Sequence, residues 1–240
     1  MGPGDVSALG TLTALRLGCV DLDAPPLFGP ISDGVRRGYE PGAAALVATA
    51  MGRTVKWVVL AWSEFYPALD ERRVDAIWCG QGITPEREAR ADFTRPYAIF
   101  DESVVVPAGN PATSPADLAG LRIGAIEGSA NMRTALTFDG IVPVGFPGTP
   151  DVFGDMIRAL RSGQIDGFVD DDVVMVPLDA EPDLRLAFTV PTRLRWGIAV
   201  RRGDHALRAA FDAALGAVLA DGSLRAVWER TMPSLAFPLD

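Results

Sequence analysis

The sequence has few of the side chains on which many catalytic and metal sites depend. Its 240 residues include one histidine, His205, one lysine, Lys56, and two cysteines, Cys19 and Cys79. A Ser-His-Asp triad would have to use the lone histidine, and Schiff-base chemistry the lone lysine. Two cysteines are too few for a usual zinc site, and each lies in an apolar run typical of a buried thiol, although a disulfide between them stays open. The sequence therefore predicts no metal site and no other cofactor.

Long hydrophobic runs and an excess of basic charge are also missing. No stretch reaches the ~18 apolar residues that a membrane-spanning helix needs. The net charge of −9 and the pI of about 4.7 argue against nucleic acids and anionic membrane surfaces as partners, because both attract a basic face. An apolar share of 48% with 22% charged residues is instead typical of a packed globular chain.

The beginning of the chain has neither the basic start nor the apolar run of a secretory signal peptide. Leu17-Gly18-Cys19 is similar to the end of a lipoprotein cleavage site, but the same residues fit the start of a strand. We therefore expect no signal peptide in this chain, and a lipid anchor at Cys19 stays an alternative to a buried strand.

Strand-like and helix-like segments alternate along the chain. Apolar and β-branched runs predict strands, whereas capping residues and following glycines mark the ends of predicted helices. The predicted strands cover residues 15–20, 54–59, 74–79, 103–107, 122–126, 165–169, 184–188 and 197–200, and the predicted helices cover residues 42–51, 64–70, 153–161, 205–220 and 224–230, with two more from Pro85 and Ala130. The same order occurs twice, around residues 15–100 and 121–190, which predicts two α/β lobes.

The segment Gly80-Gln81-Gly82-Ile83-Thr84-Pro85-Glu86-Arg87 combines several features of an anion site. Its glycines let backbone N–H groups approach a ligand, and the helix that Thr84 caps favours an anion at its N-terminus. Arg87 adds a planar guanidinium that suits a carboxylate. The alternative is that Arg87 bridges neighbouring acids on a solvated face, and the spacing alone leaves both interpretations open.

Carboxylates follow predicted strands at two further places. Asp170-Asp171-Asp172 repel one another, so we expect a nearby cation: an ammonium, an arginine or Ca²⁺. The alternative is a solvated turn, and Asp21 and Asp23 have the same two interpretations. Trp62 either stacks on a ligand or belongs to the core.

A collinear set of motifs carries a family resemblance from about Leu15 to Leu235. The set includes Trp62-Ser-Glu-Phe-Tyr-Pro67-Ala-Leu69, Ile83-Thr84-Pro85-Glu86-Arg87, Arg122-Ile123-Gly124, Trp196-Gly197-Ile198-Ala199-Val200 and Ala220-Asp221-Gly222-Ser223. In these motifs the chain resembles the extracellular solute-binding proteins of family 3, the polar-amino-acid binders of ABC importers. No single motif would be specific, but the ordered set is.

The resemblance implies an α/β, two-lobe, type 2 periplasmic-binding-protein-like fold with a discontinuous first lobe and a two-strand hinge. The first lobe would contain residues 1–101 and 198–240, and the second residues 107–194. The hinge strands would lie near residues 102–106 and 195–200.

The resemblance also implies a function and a set of ligand-binding residues. The protein would capture an amino acid or a similar small zwitterion between its lobes and close around it. The family's binding positions fall on Asp21, Trp62, Gly80, Gly82, Arg87, Ser129 and Asp171, where Arg87 would bind the carboxylate and Asp171 the ammonium. The partner would be the membrane permease of an ABC importer if the protein is exported. The family implies an extracytoplasmic location, and the lack of a signal peptide leaves a cytoplasmic one as the alternative.

Three departures from the family pattern predict an unusual ligand. Gly82 stands where a hydroxyl is frequent, the Gly38–Gly42 segment lacks a second acid, and an aromatic residue is replaced near Ala24.

The alternative function is an enzyme on the same scaffold, either cyclohexadienyl-dehydratase-like or another cofactor-free lyase, in the cytosol. Asn131 and Arg133 match the dehydratase pattern, but Met132 and Val174 occupy the positions of its acids. Because neither side chain can deliver a proton, we expect a binding protein rather than this enzyme.

Overall fold

Two five-stranded sheets form the framework of the protein. The structure is a computed structural model, and it describes residues 13–173, 178 and 181–239. The strands are β1 (Ala14–Cys19), β2 (Thr54–Val59), β3 (Ala76–Ile77), β4 (Ala91–Phe93), β5 (Ala98–Pro107), β6 (Arg122–Ile126), β7 (Val142–Phe146), β8 (Gly167–Asp171), β9 (Leu184–Trp196) and β10 (Ala199–Arg201). The helices are α1 (Tyr39–Ala50), α2 (Phe65–Asp70), α3 (Pro85–Glu88), α4 (Ala130–Ala135), α5 (Val152–Arg161), α6 (His205–Ala220) and α7 (Ser223–Thr231).

Each sheet combines parallel strands from one stretch of the chain with an antiparallel strand. The first sheet has the order β2-β1-β3-β10-β4, in which β1 is parallel to β2 and β3, and β10 is antiparallel to β3 and β4. The second sheet has the order β7-β6-β8-β5-β9, in which β6 is parallel to β7 and β8, and β5 is antiparallel to β8 and β9. The predicted α/β class and two-lobe organisation are confirmed.

The chain passes between the two sheets twice. It leaves the first sheet between β4 and β5, and it returns between β9 and β10. The two connecting strands pair with each other from Ala98↔Trp196 to Pro107↔Leu184. Segment 102–106 lies inside β5, while segment 195–200 contains the second crossing. The lobe limits and hinge positions stay predictions, and residues 1–12 of the predicted first lobe lie outside the described residues.

An equivalent ion pair anchors the first strand of each lobe. The Arg16 backbone amide donates to Asp75 Oδ2 at 2.8 Å, and Arg16 Nη2 lies 2.6 Å from Asp75 Oδ1. The Arg122 amide donates to Asp166 Oδ2 at 2.8 Å, and Arg122 Nη2 lies 2.8 Å from Asp166 Oδ1. The repeated order in the sequence therefore corresponds to a repeated hydrogen-bond pattern in space.

Both cysteines are buried and unpaired. Cys19 ends β1, between two neighbouring strands, which agrees with the interpretation as a buried strand and not with a lipid anchor in the folded protein. The Cys79 sulfur accepts the Val20 backbone amide at 3.4 Å. Burial raises the pKa of Cys19 to about 11, so this thiol is protonated at neutral pH.

Two strands were not predicted, and two others are longer than predicted. The strands β4 and β7 each cover five residues or fewer. Strand β5 begins at Ala98 rather than at residue 103, and β9 continues past Phe188 through Pro191. Pro191 is tolerated because β9 is an edge strand with a register shift opposite Asp101. Among the described helices, none is both long enough and apolar enough to cross a membrane.

Candidate functional site

A cleft of about 590 Å³ lies between the two lobes. Its volume is in the range of small-molecule sites. The first lobe contributes the loop after β1, the start of α2, and the segment from Cys79 to Arg87; the second contributes the loop after β6, the start of α5 and the end of β8. Leu194 and Trp196, at the end of β9, also line the cleft. Any ligand in this cleft would contact both lobes.

Arg87 enters the cleft from α3 of the first lobe. The Thr84 hydroxyl accepts the Arg87 backbone amide at 3.3 Å, and Pro85 occupies the first helical position, so the predicted helix start is confirmed. The Arg87 side chain is half-buried, and its Nη1 donates to the Gly82 carbonyl at 2.9 Å. Burial lowers the pKa of Arg87, but a guanidinium remains charged at neutral pH.

The glycine loop before α3 packs tightly against the end of β9. Gly80 has φ +59°, and a Cβ there would lie 3.2 Å from the Trp196 ring. A Cβ on Gly82 would lie 3.0 Å from Leu194 Cδ2. The two glycines therefore allow a close approach to β9, and the approach to a ligand stays a prediction.

Backbone hydrogen bonds join the same loop to the crossing between the lobes. The Ile83 amide donates to the Arg195 carbonyl at 2.7 Å, and the Gly197 amide donates to the Gln81 carbonyl at 3.0 Å. The loop that presents Arg87 is therefore connected to the segment in which the chain returns to the first lobe.

A buried carboxylate supports the loop from behind. Glu40 is fully buried in α1, and its Oε1 accepts hydrogen bonds from the Gly80 amide and the Tyr97 hydroxyl. Its Oε2 is also buried and has no hydrogen-bond partner. Burial raises the pKa of Glu40 above its ordinary value, although both hydrogen bonds oppose the shift.

Asp171 ends β8 and lines the cleft from the second lobe. Burial raises its pKa well above the ordinary value, and the neighbouring carboxylates of Glu102, Asp170 and Asp172 raise it further, while the charge of Arg87 acts in the opposite direction. The two side chains that would bind opposite ends of a zwitterion therefore interact electrostatically across the cleft.

Asp171 belongs to a cluster of four carboxyl groups, with Glu102, Asp170 and Asp172. Glu102 pairs with Asp171 across β5 and β8, and its Oε2 accepts a hydrogen bond from Asn131 Nδ2 at 2.7 Å. Burial raises the pKa of Glu102 to about 7 and that of Asp170 to about 7, and it raises the pKa of Asp172 to about 6. A cation beside Asp171 would favour ionisation of this carboxyl-rich cluster, which we call the acid cluster.

Six of the seven sequence-predicted ligand-binding residues line the cleft: Trp62, Gly80, Gly82, Arg87, Ser129 and Asp171. Ser129 caps α4, where its hydroxyl accepts the Met132 amide at 3.0 Å and donates to the Ile126 carbonyl at 2.7 Å. Trp62 is 41% exposed and therefore does not belong to the core.

Asp21 is not among the residues that line the cleft. It is exposed, and its Oδ1 accepts the Ile31 backbone amide at 3.1 Å, which stabilises the long loop after β1. Asp23 is exposed too and does not line the cleft. The structure thus brings the two charged ends of the predicted site together without the first-loop carboxylates.

The sequence did not single out Glu102 or, apart from Trp62, the large apolar side chains of the cleft. Glu102 lies in an apolar strand, and only the pairing of β5 with β8 brings it to Asp171. Asn131, matched to the dehydratase pattern, binds Glu102, whereas Val174 lies outside the described residues. In the described part of the chain, no group of three or more acidic, histidine or cysteine side chains could hold a metal ion.

Comparisons with known proteins agree with this geometry. The chain is 29% identical to the L-arginine-binding protein of Pseudomonas aeruginosa over 229 residues, which are 90% of this chain and 86% of that protein. It is 28% identical to the L-cystine-binding protein TcyJ of Escherichia coli over 212 residues, which are 86% and 78% of the two chains. The solved structure of an ancestral arginine-binding protein bound to arginine superimposes with a TM-score of 0.80, at 26% identity, over 91% of this chain and 98% of that one.

The sequence profile of one family matches nearly the whole of the described chain. It covers residues 17–232 and describes bacterial extracellular solute-binding proteins, family 3. The match includes both sheets except the first three residues of β1, both crossings and every cleft residue discussed above. The chain therefore belongs to the bacterial extracellular solute-binding proteins of family 3.

Proposed function

We propose that the protein captures an amino acid or a similar small zwitterion in the cleft, with Arg87 on the carboxylate and Asp171 on the ammonium. The observation that carries the proposal is the placement of a guanidinium and a carboxyl group on different lobes along one cavity. An ammonium beside Asp171 favours the ionised form of this carboxyl. Free α-amino acids carry complementary charges a few ångströms apart, so one molecule engages both lobes.

The partly buried position of the two side chains makes their pairing with a ligand strong. Hydrogen bonds between charged groups gain in strength where water is excluded. The first turn of α4, which begins at Ala130, lines the same cleft and favours an anion there. A ligand that joins the lobes favours the closed form because it binds that form better.

Within this proposal the protein delivers its ligand to the membrane permease of an ABC importer and acts outside the cytoplasmic membrane. Membership of family 3 supports this role. It also supports a binding function over the lyase alternative, for which Met132 replaces the expected acid.

The test is calorimetry with a panel of free L-amino acids on the wild type, Arg87→Ala and Asp171→Asn. We expect at least one amino acid to bind the wild type. Each substitution leaves one ligand charge unpaired, at a cost of roughly 2–5 kcal/mol, so we expect binding about 30- to several-thousand-fold weaker.

Matched controls are Arg37→Ala and Asp139→Asn, since both residues are exposed and lie outside the cleft lining. Both control proteins should bind as the wild type does. Wild-type affinity in Arg87→Ala, or a panel in which no amino acid binds, would contradict the proposal. Conversion of a bound amino acid into a new compound would favour the lyase.

A further inference from the structure

Most polar side chains of the cleft have hydrogen-bond partners within the protein. The Tyr66 hydroxyl donates to Gln81 Oε1 at 3.1 Å, and Gln81 Nε2 donates to the Cys79 carbonyl at 3.3 Å. The Ser129 hydroxyl both accepts and donates within its own helix cap. Arg87 and Asp171 are left for the carboxylate and ammonium of an amino acid, and Glu127 is a further charged residue of the lining.

The rest of the lining is dominated by large apolar side chains. They come from the loop after β1, from residues 62–65 at the turn into α2, and from the segment that runs from Pro147 into the first turn of α5. We call Leu22, Phe28, Trp62, Phe65, Pro147 and Phe153 the apolar wall. The wall contains residues of both lobes, so closure places it on two sides of a ligand.

Trp62 and Gly148 bring the two halves of the wall together. The Trp62 ring lies 5.0 Å from the Phe65 ring, and a Cβ on Gly148 would lie 3.4 Å from Trp62 Cδ1. Exposure of such a ring to water is unfavourable, and an apolar ligand side chain would cover part of it.

The charges near the wall disfavour a cationic side chain. The Arg36 guanidinium lies over the Phe28 ring, 4.1 Å from its centroid, and donates to the carbonyls of Val20 and Gly29. This fixed positive charge lies directly behind the wall. Asp21 accepts the Ile31 amide and lies outside the cleft lining, so the first loop places no carboxylate against the wall.

Glu127 is the carboxylate of the cleft that could still receive a cationic side chain. It is exposed and packs on Gly145, where a Cβ would lie 2.6 Å from Glu127 Cγ. An exposed ion pair at this position would contribute little, because water and salt screen it.

Resting on the proposed function, we infer that the ligand is an α-amino acid with a large apolar or aromatic side chain, such as phenylalanine, leucine or methionine. The wall surrounds the side chain, Arg87 and Asp171 hold the zwitterion, and Arg36 behind Phe28 disfavours arginine and lysine.

Calorimetry at pH 8 with phenylalanine, leucine, methionine, arginine, lysine and glutamine tests the inference. We expect the best apolar ligand to bind at least about tenfold tighter than arginine, lysine and glutamine. Tighter binding of arginine, lysine or glutamine would overturn the inference and leave the proposed function standing. Binding of none of the six would overturn the inference, whereas the proposed function fails only if no amino acid of the full panel binds.

Three variants test whether the apolar wall causes the preference for an apolar ligand. Trp62→Ala and Phe153→Ala remove ring contacts at partly exposed positions, and we expect each to weaken binding of the apolar ligand about tenfold or more. Leu136→Ala, at an exposed apolar position outside the cleft lining, is the matched control: affinity for the apolar ligand should be unchanged. Wild-type affinity in both Trp62→Ala and Phe153→Ala would overturn the inference.

Discussion

Glu40 Oε1 accepts a hydrogen bond of 2.7 Å from the Gly80 amide, although 40 residues separate the two along the chain. Through this bond the core of the first lobe holds the loop that leads to Arg87. Tyr97, which begins the passage toward the second lobe, donates to the same oxygen. One buried carboxylate therefore fixes both the ligand loop and the start of a crossing.

Replacement of Glu40 should damage stability and binding together. Glu40→Ala leaves the Gly80 amide and the Tyr97 hydroxyl without their acceptor and creates a cavity. We expect a loss of about 2–4 kcal/mol in the free energy of unfolding, measured by urea denaturation, and weaker ligand binding in calorimetry. Glu40→Gln keeps one carbonyl acceptor and should lose less.

The control for this pair is Glu229→Ala, at an exposed position of α7. The midpoint of its urea unfolding should equal that of the wild type. Wild-type stability in Glu40→Ala would show that the bond to Gly80 does not support the loop.

The unliganded protein should become less stable as the pH rises from about 5 to 8. Burial raises the pKa of Glu102 and of Asp170 to about 7, from ordinary values of 4.5 and 3.8. The folded state therefore keeps protons that the unfolded state has lost, and the stability from these protons is full below the ordinary pKa values and lost as the pH passes about 7.

Thermal unfolding at pH 5.5 and pH 8 measures this effect. We expect the melting temperature to fall by on the order of 4 °C or more, since one kcal/mol corresponds to roughly 2–4 °C in a chain of this size. Glu102→Gln removes one carboxyl and should flatten the dependence. A wild-type melting temperature that rises over the same interval in parallel with Glu102→Gln would contradict the prediction.

Ligand binding should release protons near pH 6.5. An ammonium beside Asp171 favours the ionised carboxylate, so the acid cluster loses protons when the ligand enters. Affinity should therefore increase from pH 6 to pH 8. Calorimetry in two buffers of different ionisation enthalpy counts the protons, and identical heats in both buffers would refute the linkage.

The two equivalent ion pairs should contribute to stability above the ordinary carboxylate pKa. The side-chain hydrogen bond from Arg122 lowers the pKa of Asp166, so its contribution is present at neutral pH and lost as the pH falls through the folded-state value. Because the pair is partly exposed, we expect Asp166→Asn to cost only about 1–2 kcal/mol in urea denaturation. Asp139→Asn, exposed on the same lobe, should cost nothing.

Capping residues and following glycines were enough to predict the exact ends of some helices. Helix α6 has the predicted limits, His205–Ala220, because Asp204 caps its first turn and Gly222 follows its end. Thr84 and Pro85 likewise predicted the start of α3. Strand β4 was missed because three residues give too short a pattern, and β7 was missed because it contains Pro143 and Gly145, which are rare in strands.

The site was harder to predict because its environment comes from distant segments. The sequence identified Arg87 and Asp171 through the family resemblance, and both line the cleft. The sequence did not predict that the Asp21 carboxylate would accept a hydrogen bond from the Ile31 amide, ten residues later. Nor could it tell that Glu40, in a motif that lacks the usual second acid, would be buried against Tyr97.

Hydrogen bonds connect the Gly80–Thr84 loop to the return crossing, so this loop links ligand affinity to the movement of the lobes. Substitutions in that loop would change ligand affinity and the movement of the lobes together, because Ile83 and Gln81 bond directly to Arg195 and Gly197. The apolar wall lies on other segments, around Leu22 and Phe153. Its side chains could diverge to suit a new ligand while the parts that carry out closure are inherited unchanged.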